Sequence, residues 1–284
     1  MPNLCPPLEG IAIDVDEAEL GKNIPIDGKI TGDIREILSM LCEELEPQQN
    51  GGWMEQIAAW KKAYPLTQTA RYGVLPQQVI ETLDALTPPD TIITTEVGQH
   101  QMWAAQFYRF AQPRTLVTSG GLGTMGFGLG AAIGSAVGNP QARVVNIAGD
   151  GSFHMNMAEL STAAKYRIPI IEMVFNNSVL GMVRQWQTMF YEKHYSQTNL
   201  ENPTDYELLA KALGLEAFMI REERDIEPVL RAALDADGPV LINCIIDKDL
   251  AVLPRFRRAV RWRNPSWSCE ECRCPPGNGS AESD

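Results

Sequence analysis

From residue 76 to residue 254 the sequence predicts an α/β fold, a parallel sheet with helices on both faces, and two observations carry that prediction. Stretches with apolar residues at helical spacing alternate with short apolar runs along the whole segment. The short runs, such as Val144-Val145-Asn146-Ile147-Ala148, are apolar at successive positions rather than at every second one, as strands covered on both faces must be.

The elements follow in order. Pro76 suits the first turn of a helix because its missing N–H would have no intrahelical partner there, and the helix runs to Leu86. A strand at 91–95, a helix at 99–110, a strand at 116–118 and a Gly-rich helix at 122–137 come next. After them the pattern predicts a strand at 143–148, a helix at 155–166 and a strand at 168–175. The segment closes with a helix at 204–213, a strand at 217–220, a helix at 226–236 and a strand at 240–246. There is no internal repeat.

The flanks read differently. In residues 1–47, Ile11 to Asp16 alternates apolar and acidic residues like a strand, and Ile34, Ile37, Leu38, Leu41 and Leu45 lie at helical spacing within 33–45. One strand and one helix cannot bury their own apolar faces, so this is expected to be the end of a larger domain. Residues 48–75 form a linker, with Pro47 before it, a Gln-Gln-Asn-Gly-Gly run and a helix expected at 53–64. Residues 255–284 are expected to be a disordered tail.

Composition excludes several classes. A net charge of −12 repels a polyanion, which argues against nucleic-acid binding. The chain has no apolar run near the ~18 residues of a membrane span and its start lacks the basic and apolar stretches of a signal peptide, so no membrane association and a cytoplasmic location are expected. Cys5, Cys42 and Cys244 read as reduced thiols. Cys269, Cys272 and Cys274 contain a C-x-x-C but lack the fourth ligand a structural zinc site needs.

Chemistry concentrates at two strand ends. The strand through Ala148 runs into Gly149-Asp150-Gly151-Ser152, and the strand through Phe175 ends in Asn176-Asn177. In parallel sheets ligands sit beyond the carboxyl ends of the strands. Glycines let backbone approach a phosphate, and a helix N-terminus adds inward-pointing N–H groups. Between Gly151 and Asn176 lie 24 residues, the length of one helix and one returning strand, so Asp150 and Asn177 should reach neighbouring strand ends. A carboxylate, an amide oxygen, a backbone carbonyl and diphosphate oxygens make a hard oxygen set suited to Mg²⁺. Taken singly, Gly-Asp-Gly reads as a turn and Asn-Asn as a helix cap; the joint spacing is what points to a metal-tied diphosphate.

The joint pattern resembles the thiamine-diphosphate signature. The run Asn176-Asn177-Ser178-Val179-Leu180-Gly181-Met182-Val183-Arg184-Gln185-Trp186-Gln187 is similar to its acetolactate synthase version, as are Glu96-Val97-Gly98-Gln99-His100-Gln101-Met102-Trp103 and Ser119-Gly120-Gly121-Leu122-Gly123-Thr124-Met125-Gly126. The resemblance spans roughly residues 11–254 and implies a thiamine-diphosphate-binding fold. It implies that Val97, Gly98, Gln99 and His100 hold the diphosphate with Gly149, Asp150, Gly151 and Ser152. Mg²⁺ would take Asp150, Asn177 and the carbonyl of Val179. Gly123, Leu180, Gly181 and Met182 are implied as further cofactor-binding positions, and Met125 as the apolar prop for the bent cofactor. Met182 and Trp186 would line a substrate pocket. Read alone, His100 is equally a core histidine and Met125 a core methionine.

The resemblance also makes residues 1–47 the remnant of a middle, Rossmann-like domain in which Asp14, Val15, Asp33 and Ile34 contact FAD. It implies pyruvate and 2-oxobutyrate as substrates, a homo-oligomer and a small regulatory subunit as a possible partner. The family's N-terminal domain, which supplies a glutamate to the cofactor's pyrimidine ring, has no counterpart here, so no catalytic residue is assigned and little independent turnover is expected. Past Pro254 the run Arg255-Phe256-Arg257-Arg258 departs from the family, and a frameshift is the expected cause. Another thiamine-diphosphate lyase or decarboxylase, or a non-catalytic cofactor-binding module, are the alternative readings.

Overall fold

The structure is a computed structural model that describes residues 10–47, 50–66, 68–200 and 204–253. Cys5, the expected tail and its C-x-x-C lie outside the described residues. The chain divides into two compact units, one reaching to Pro65 and the other beginning at Leu66.

In the first unit, β1 (Ile11–Asp14) pairs in parallel with β2 (Gly28–Thr31), Ile11 opposite Gly28 and Asp14 opposite Thr31. Strand β2 was not expected. Its Gly-Lys-Ile-Thr sequence is too short and too polar to show an alternation. Helix α1 (Ile34–Glu44) is capped by Asp33, whose Oδ1 accepts from Arg35 N at 2.7 Å, and it buries none of its residues. Helix α2 spans Gly51–Ala63, with Trp53 and Trp60 in edge-on contact at 5.4 Å.

The second unit contains the expected sheet. Its elements are α3 (Pro76–Leu86), β3 (Ile92–Thr95), α4 (Gln99–Phe107), β4 (Leu116–Thr118), α5 (Phe127–Gly138), β5 (Val144–Gly149), α6 (Asp150–Asn156), α7 (Leu160–Tyr166) and β6 (Ile170–Asn176). Then come α8 (Gly181–Phe190), α9 (Tyr206–Leu213), β7 (Glu216–Ile220), α10 (Glu223–Asp235) and β8 (Val240–Ile245). Six strands lie in the order β4-β3-β5-β6-β8-β7, all parallel.

Successive strand residues feed opposite layers. Val145 and Ile147 of β5 join Ile93, Met173 and Ile242 in a core with α3, α4 and α10, whereas Val144 and Ala148 join Val174 and Leu241 in a core with α5, α7 and α9. This is why the strands read as continuous apolar runs.

Helix α8 is an addition to the expected elements, and two helix starts move by five residues. The Gly-rich helix starts at Phe127 rather than at 122, because Gly123 and Gly126 sit at φ +67° and +92°, in left-handed backbone. The helix after β5 starts at Asp150, not at 155, and a short 3-10 turn at Met157–Glu159 separates α6 from α7.

Candidate functional site

Chain order places a switch point between β3 and β5. From β3 the chain runs outward to β4 and then crosses back to β5, so α4 leaves β3 toward one layer and α6 leaves β5 toward the other. A crevice opens where neighbouring strands send their helices to opposite faces, and it is the standard ligand position in such sheets. A cavity of about 110 Å³ occupies it.

The cavity gathers most of the residues singled out in the sequence. Val97, Gly98, Gln99 and His100 come from the β3–α4 turn and Gly149, Asp150, Gly151 and Ser152 from the β5–α6 turn. Asn177, Val179, Leu180, Gly181 and Met182 come from the β6–α8 turn, and Met125 comes from the segment before α5. Three helices, α4, α6 and α8, begin at this cavity, so their first-turn amides surround one space.

Gly123 is not among the lining residues. Trp186 is also outside: it is 49% exposed and packs edge-on against Phe190 at 6.1 Å, four residues along α8 from Met182, which does line the cavity. Trp103, Phe175, Val183 and Ile246 line the cavity but were not picked from the sequence. Trp103 stands one helical turn beyond Gln99 on α4, a spacing that could have identified it.

Asp150 and the end of β6 are joined directly. One carboxylate oxygen of Asp150 accepts from Gly151 N at 2.9 Å and the other from Ser178 N at 2.6 Å. Burial pushes the Asp150 carboxyl up to about 6, and these backbone N–H groups act against that rise. Ser178 takes left-handed backbone at φ +56°, and Asn177 Oδ1 accepts from Val179 N at 3.2 Å. Leu180 N and Ser178 O bond to Thr198 O and Leu200 N, so an outer strand segment braces the turn that carries Val179.

Three buried polar atoms on α4 have no hydrogen-bond partner among the described residues: Gln99 Oε1, His100 Nε2 and Trp103 Nε1. All three residues line the cavity. Buried polar atoms are rarely left in this state unless a ligand or water completes them. Burial holds the His100 imidazole down to about 3, opposed by a hydrogen bond to the Glu96 backbone, so the ring is neutral near pH 7. Gln99 Nε2 is committed to Gln185 Oε1 and Leu250 O, both at 2.8 Å. Its side chain therefore offers the cavity only an oxygen.

Among the described residues no cluster of three or more His, Cys, Asp or Glu could hold a metal ion. A divalent cation here would rely on Asp150 together with neutral oxygens. In the first unit, Asp14 ends β1 and Asp33 caps α1 just after β2, with Val15 and Ile34 beside them and 77% and 50% exposed. Parallel pairing brings these two strand ends to one edge. No helix among the described residues is long and apolar enough to cross a membrane.

Comparison with known proteins gives the site its family. Residues 96–244 match the C-terminal TPP binding domain of thiamine pyrophosphate enzymes. The chain is 42% identical over 254 residues to the mitochondrial acetolactate synthase catalytic subunit of Aspergillus candidus, an alignment that covers 86% of this chain and 36% of that protein. It is 40% identical over 247 residues to the acetolactate synthase large subunit of Porphyra purpurea, covering 84% and 42%. With the chloroplastic acetolactate synthase of Arabidopsis thaliana it shares 40% over 258 residues, covering 86% and 38%. The chain thus spans well under half the length of these relatives. With its parallel sheet and the matched domain, the chain belongs to the thiamine pyrophosphate enzymes, as a homologue of acetolactate synthase large subunits.

Proposed function

We propose that this chain holds thiamine diphosphate through Mg²⁺ and forms the cofactor-binding part of an acetolactate synthase. That enzyme condenses two pyruvates, or pyruvate and 2-oxobutyrate, to a 2-acetyl-2-hydroxy acid with loss of CO₂ in branched-chain amino acid biosynthesis. The observation that carries the reading is the bond from Ser178 N to Asp150, which ties the ends of two neighbouring strands beside a cavity with unpartnered polar atoms.

The donor set fits the proposed group. The Asp150 carboxylate, the Asn177 amide oxygen and the Val179 carbonyl offer hard oxygens to Mg²⁺. The first-turn amides of α4, α6 and α8 favour an anion such as a diphosphate, and Ser152, whose hydroxyl donates to Gly149 O at 3.1 Å, would serve through its backbone. Gln99, with its side-chain nitrogen committed elsewhere, would serve through its backbone. When bound, the cofactor supplies an electron sink for the carbanion that decarboxylation leaves. Val97, Met125 and Met182 give the cavity apolar wall that orients the rings and excludes water. Gly123, Leu180 and Gly181 belong to the turns around it, and Trp186 with Met182 would meet the substrate.

Further parts of the reading concern the larger enzyme. Asp14, Val15, Asp33 and Ile34 would contact FAD at the edge where β1 and β2 end, and a homo-oligomer and a small regulatory subunit would complete the assembly. Calorimetric titration with thiamine diphosphate in Mg²⁺, against an Asp150→Ala control, tests the core of the proposal. Magnesium-dependent binding that disappears in the control is expected. Equal binding by both proteins would overturn it.

A further inference from the structure

Glu96 is a buried carboxyl that takes no part in the cavity lining, being 1% exposed. Its backbone extends the β3 ladder, since Glu96 N donates to Ile147 O of β5 at 3.0 Å, and the next residue, Val97, is the first to line the cavity. Its side chain reaches across to α5. Oε2 accepts from Gly126 N at 2.6 Å and Oε1 from Leu129 N at 3.2 Å. Burial raises the Glu96 carboxyl above its ordinary value, and the first amides of α5, which have no intrahelical partner and carry partial positive charge, act against that rise.

Gly126 is held from a second side as well. Its carbonyl accepts from Asn156 Nδ2, at the end of α6, at 2.6 Å. Its φ of +92° admits no ordinary side chain without strain. Met125, which immediately precedes it, is half-buried and lines the cavity, whereas residues 119–124 are mostly exposed and Leu122 is 96% exposed. The segment between β4 and α5 is thus anchored just after Met125, and that anchor is Glu96 and Asn156.

We infer that Glu96 is a positioning residue, whose carboxylate pins Gly126 at the start of α5 and so fixes the Gly123-Thr124-Met125 turn against the ring end of the bound cofactor. The inference rests on the proposed cofactor reading. It concerns the ring end alone, because the turns facing the diphosphate leave β3, β5 and β6 independently of Gly126. In Glu96→Gln one oxygen is replaced by an NH₂ that opposes a backbone N–H, so at least one of the two bonds to Gly126 and Leu129 is lost while side-chain volume is kept.

The test is a titration of the full chain, wild type and Glu96→Gln, in Mg²⁺ with two probes, thiamine diphosphate and inorganic diphosphate. Glu96→Gln is expected to weaken thiamine diphosphate by about tenfold or more. Inorganic diphosphate should hold within about twofold, because the substitution leaves the Glu96 backbone and the turns that follow β3, β5 and β6 unchanged. Parallel loss of both probes would make Glu96 a residue of general stability and overturn the inference, as would no change in either. A wild-type chain that binds neither probe would overturn the cofactor reading and this inference together. Should Glu96→Gln fail to fold, Asn156→Ala, which removes the other anchor, is held to the same split between the probes, and its absence overturns the inference.

Discussion

Glu172 lies in the middle of β6 with none of its surface exposed, and among the described residues its carboxyl is met by Asn146 Nδ2, 2.9 Å from each oxygen. Asn146 Oδ1 in turn accepts from Thr94 Oγ1 at 2.8 Å, so three adjacent strands share one buried polar row. Burial raises the Glu172 carboxyl well above its ordinary 4.5, and the nearby charge of Glu96 pushes the same way. The folded chain therefore holds a proton here that the unfolded chain releases. Stability from this group is full below about pH 4.5 and falls as pH rises toward the folded value. Glu172→Gln, which imitates the protonated form, should gain stability over wild type as pH rises from 5 to 8, measured by urea unfolding. An advantage that shrinks over that range would contradict the assignment.

Gly128 belongs to the same neighbourhood. A Cβ there would meet Asn146 Oδ1 at 2.5 Å, Glu96 N at 2.6 Å and Thr95 C at 2.7 Å, so α5 packs on the sheet at a distance only a glycine allows. Two of these obstacles are backbone atoms that cannot swing aside. Gly128→Ala should cost about 3 kcal/mol in unfolding free energy, the upper end for overpacking a core. A cost near zero would mean that α5 can lift away from β3.

At the scale of elements, α8 and the segment after β8 form one brace. Gln185 Oε1 accepts from Val252 N and Gln185 Nε2 donates to Val252 O, both at 3.0 Å, while Gln99 Nε2 joins Gln185 Oε1 at 2.8 Å. Arg184 adds two bonds to Asp249 Oδ1, at 2.9 and 2.7 Å. Through Gln99 this brace reaches the first turn of α4, which lines the cavity. Gln185→Ala leaves the backbone groups of Val252 buried and unpaired, at a cost of about 2–3 kcal/mol. Hydrogen exchange at Val252 should accelerate in the variant while β5 and β6 stay protected. Uniform acceleration would show that the brace holds the whole sheet rather than its own corner.

At the scale of the molecule, the proposed ligand would touch turns that leave three strands, β3, β5 and β6. Binding should therefore stabilise the entire sheet-bearing unit. With thiamine diphosphate and Mg²⁺ at about 100 times the dissociation constant, linkage gives ~2.7 kcal/mol, or a rise of about 5–10 °C in melting temperature. Asp150→Ala should melt at the same temperature with and without the ligands. A ligand shift retained by that variant would point to binding elsewhere.

The sequence by itself determined the parallel, two-face-covered sheet of the second unit and the arrival of Asp150 and Asn177 at neighbouring strand ends. Continuous apolar runs require a sheet covered on both faces, and a Gly-Asp-Gly turn one crossover away from Asn176-Asn177 requires neighbouring strand ends. Local rules were enough there, since each strand and each turn declares itself within a few residues. Strand β2 and the early start of α6 escaped them, the first for want of an alternation and the second because Gly149 and Gly151 read as a turn. Only the tertiary structure decided that β3 and β5 are neighbours, which opens the crevice at the switch point and adds Trp103 and Ile246 to its wall. It alone decided that Trp186 lies outside the cavity and that the Gln99 amide nitrogen faces Gln185. It alone set Glu96 under α5. The physical reason is the same in each case: these relations join residues tens of positions apart, through strand order and side-chain direction, and no local pattern of polarity encodes either.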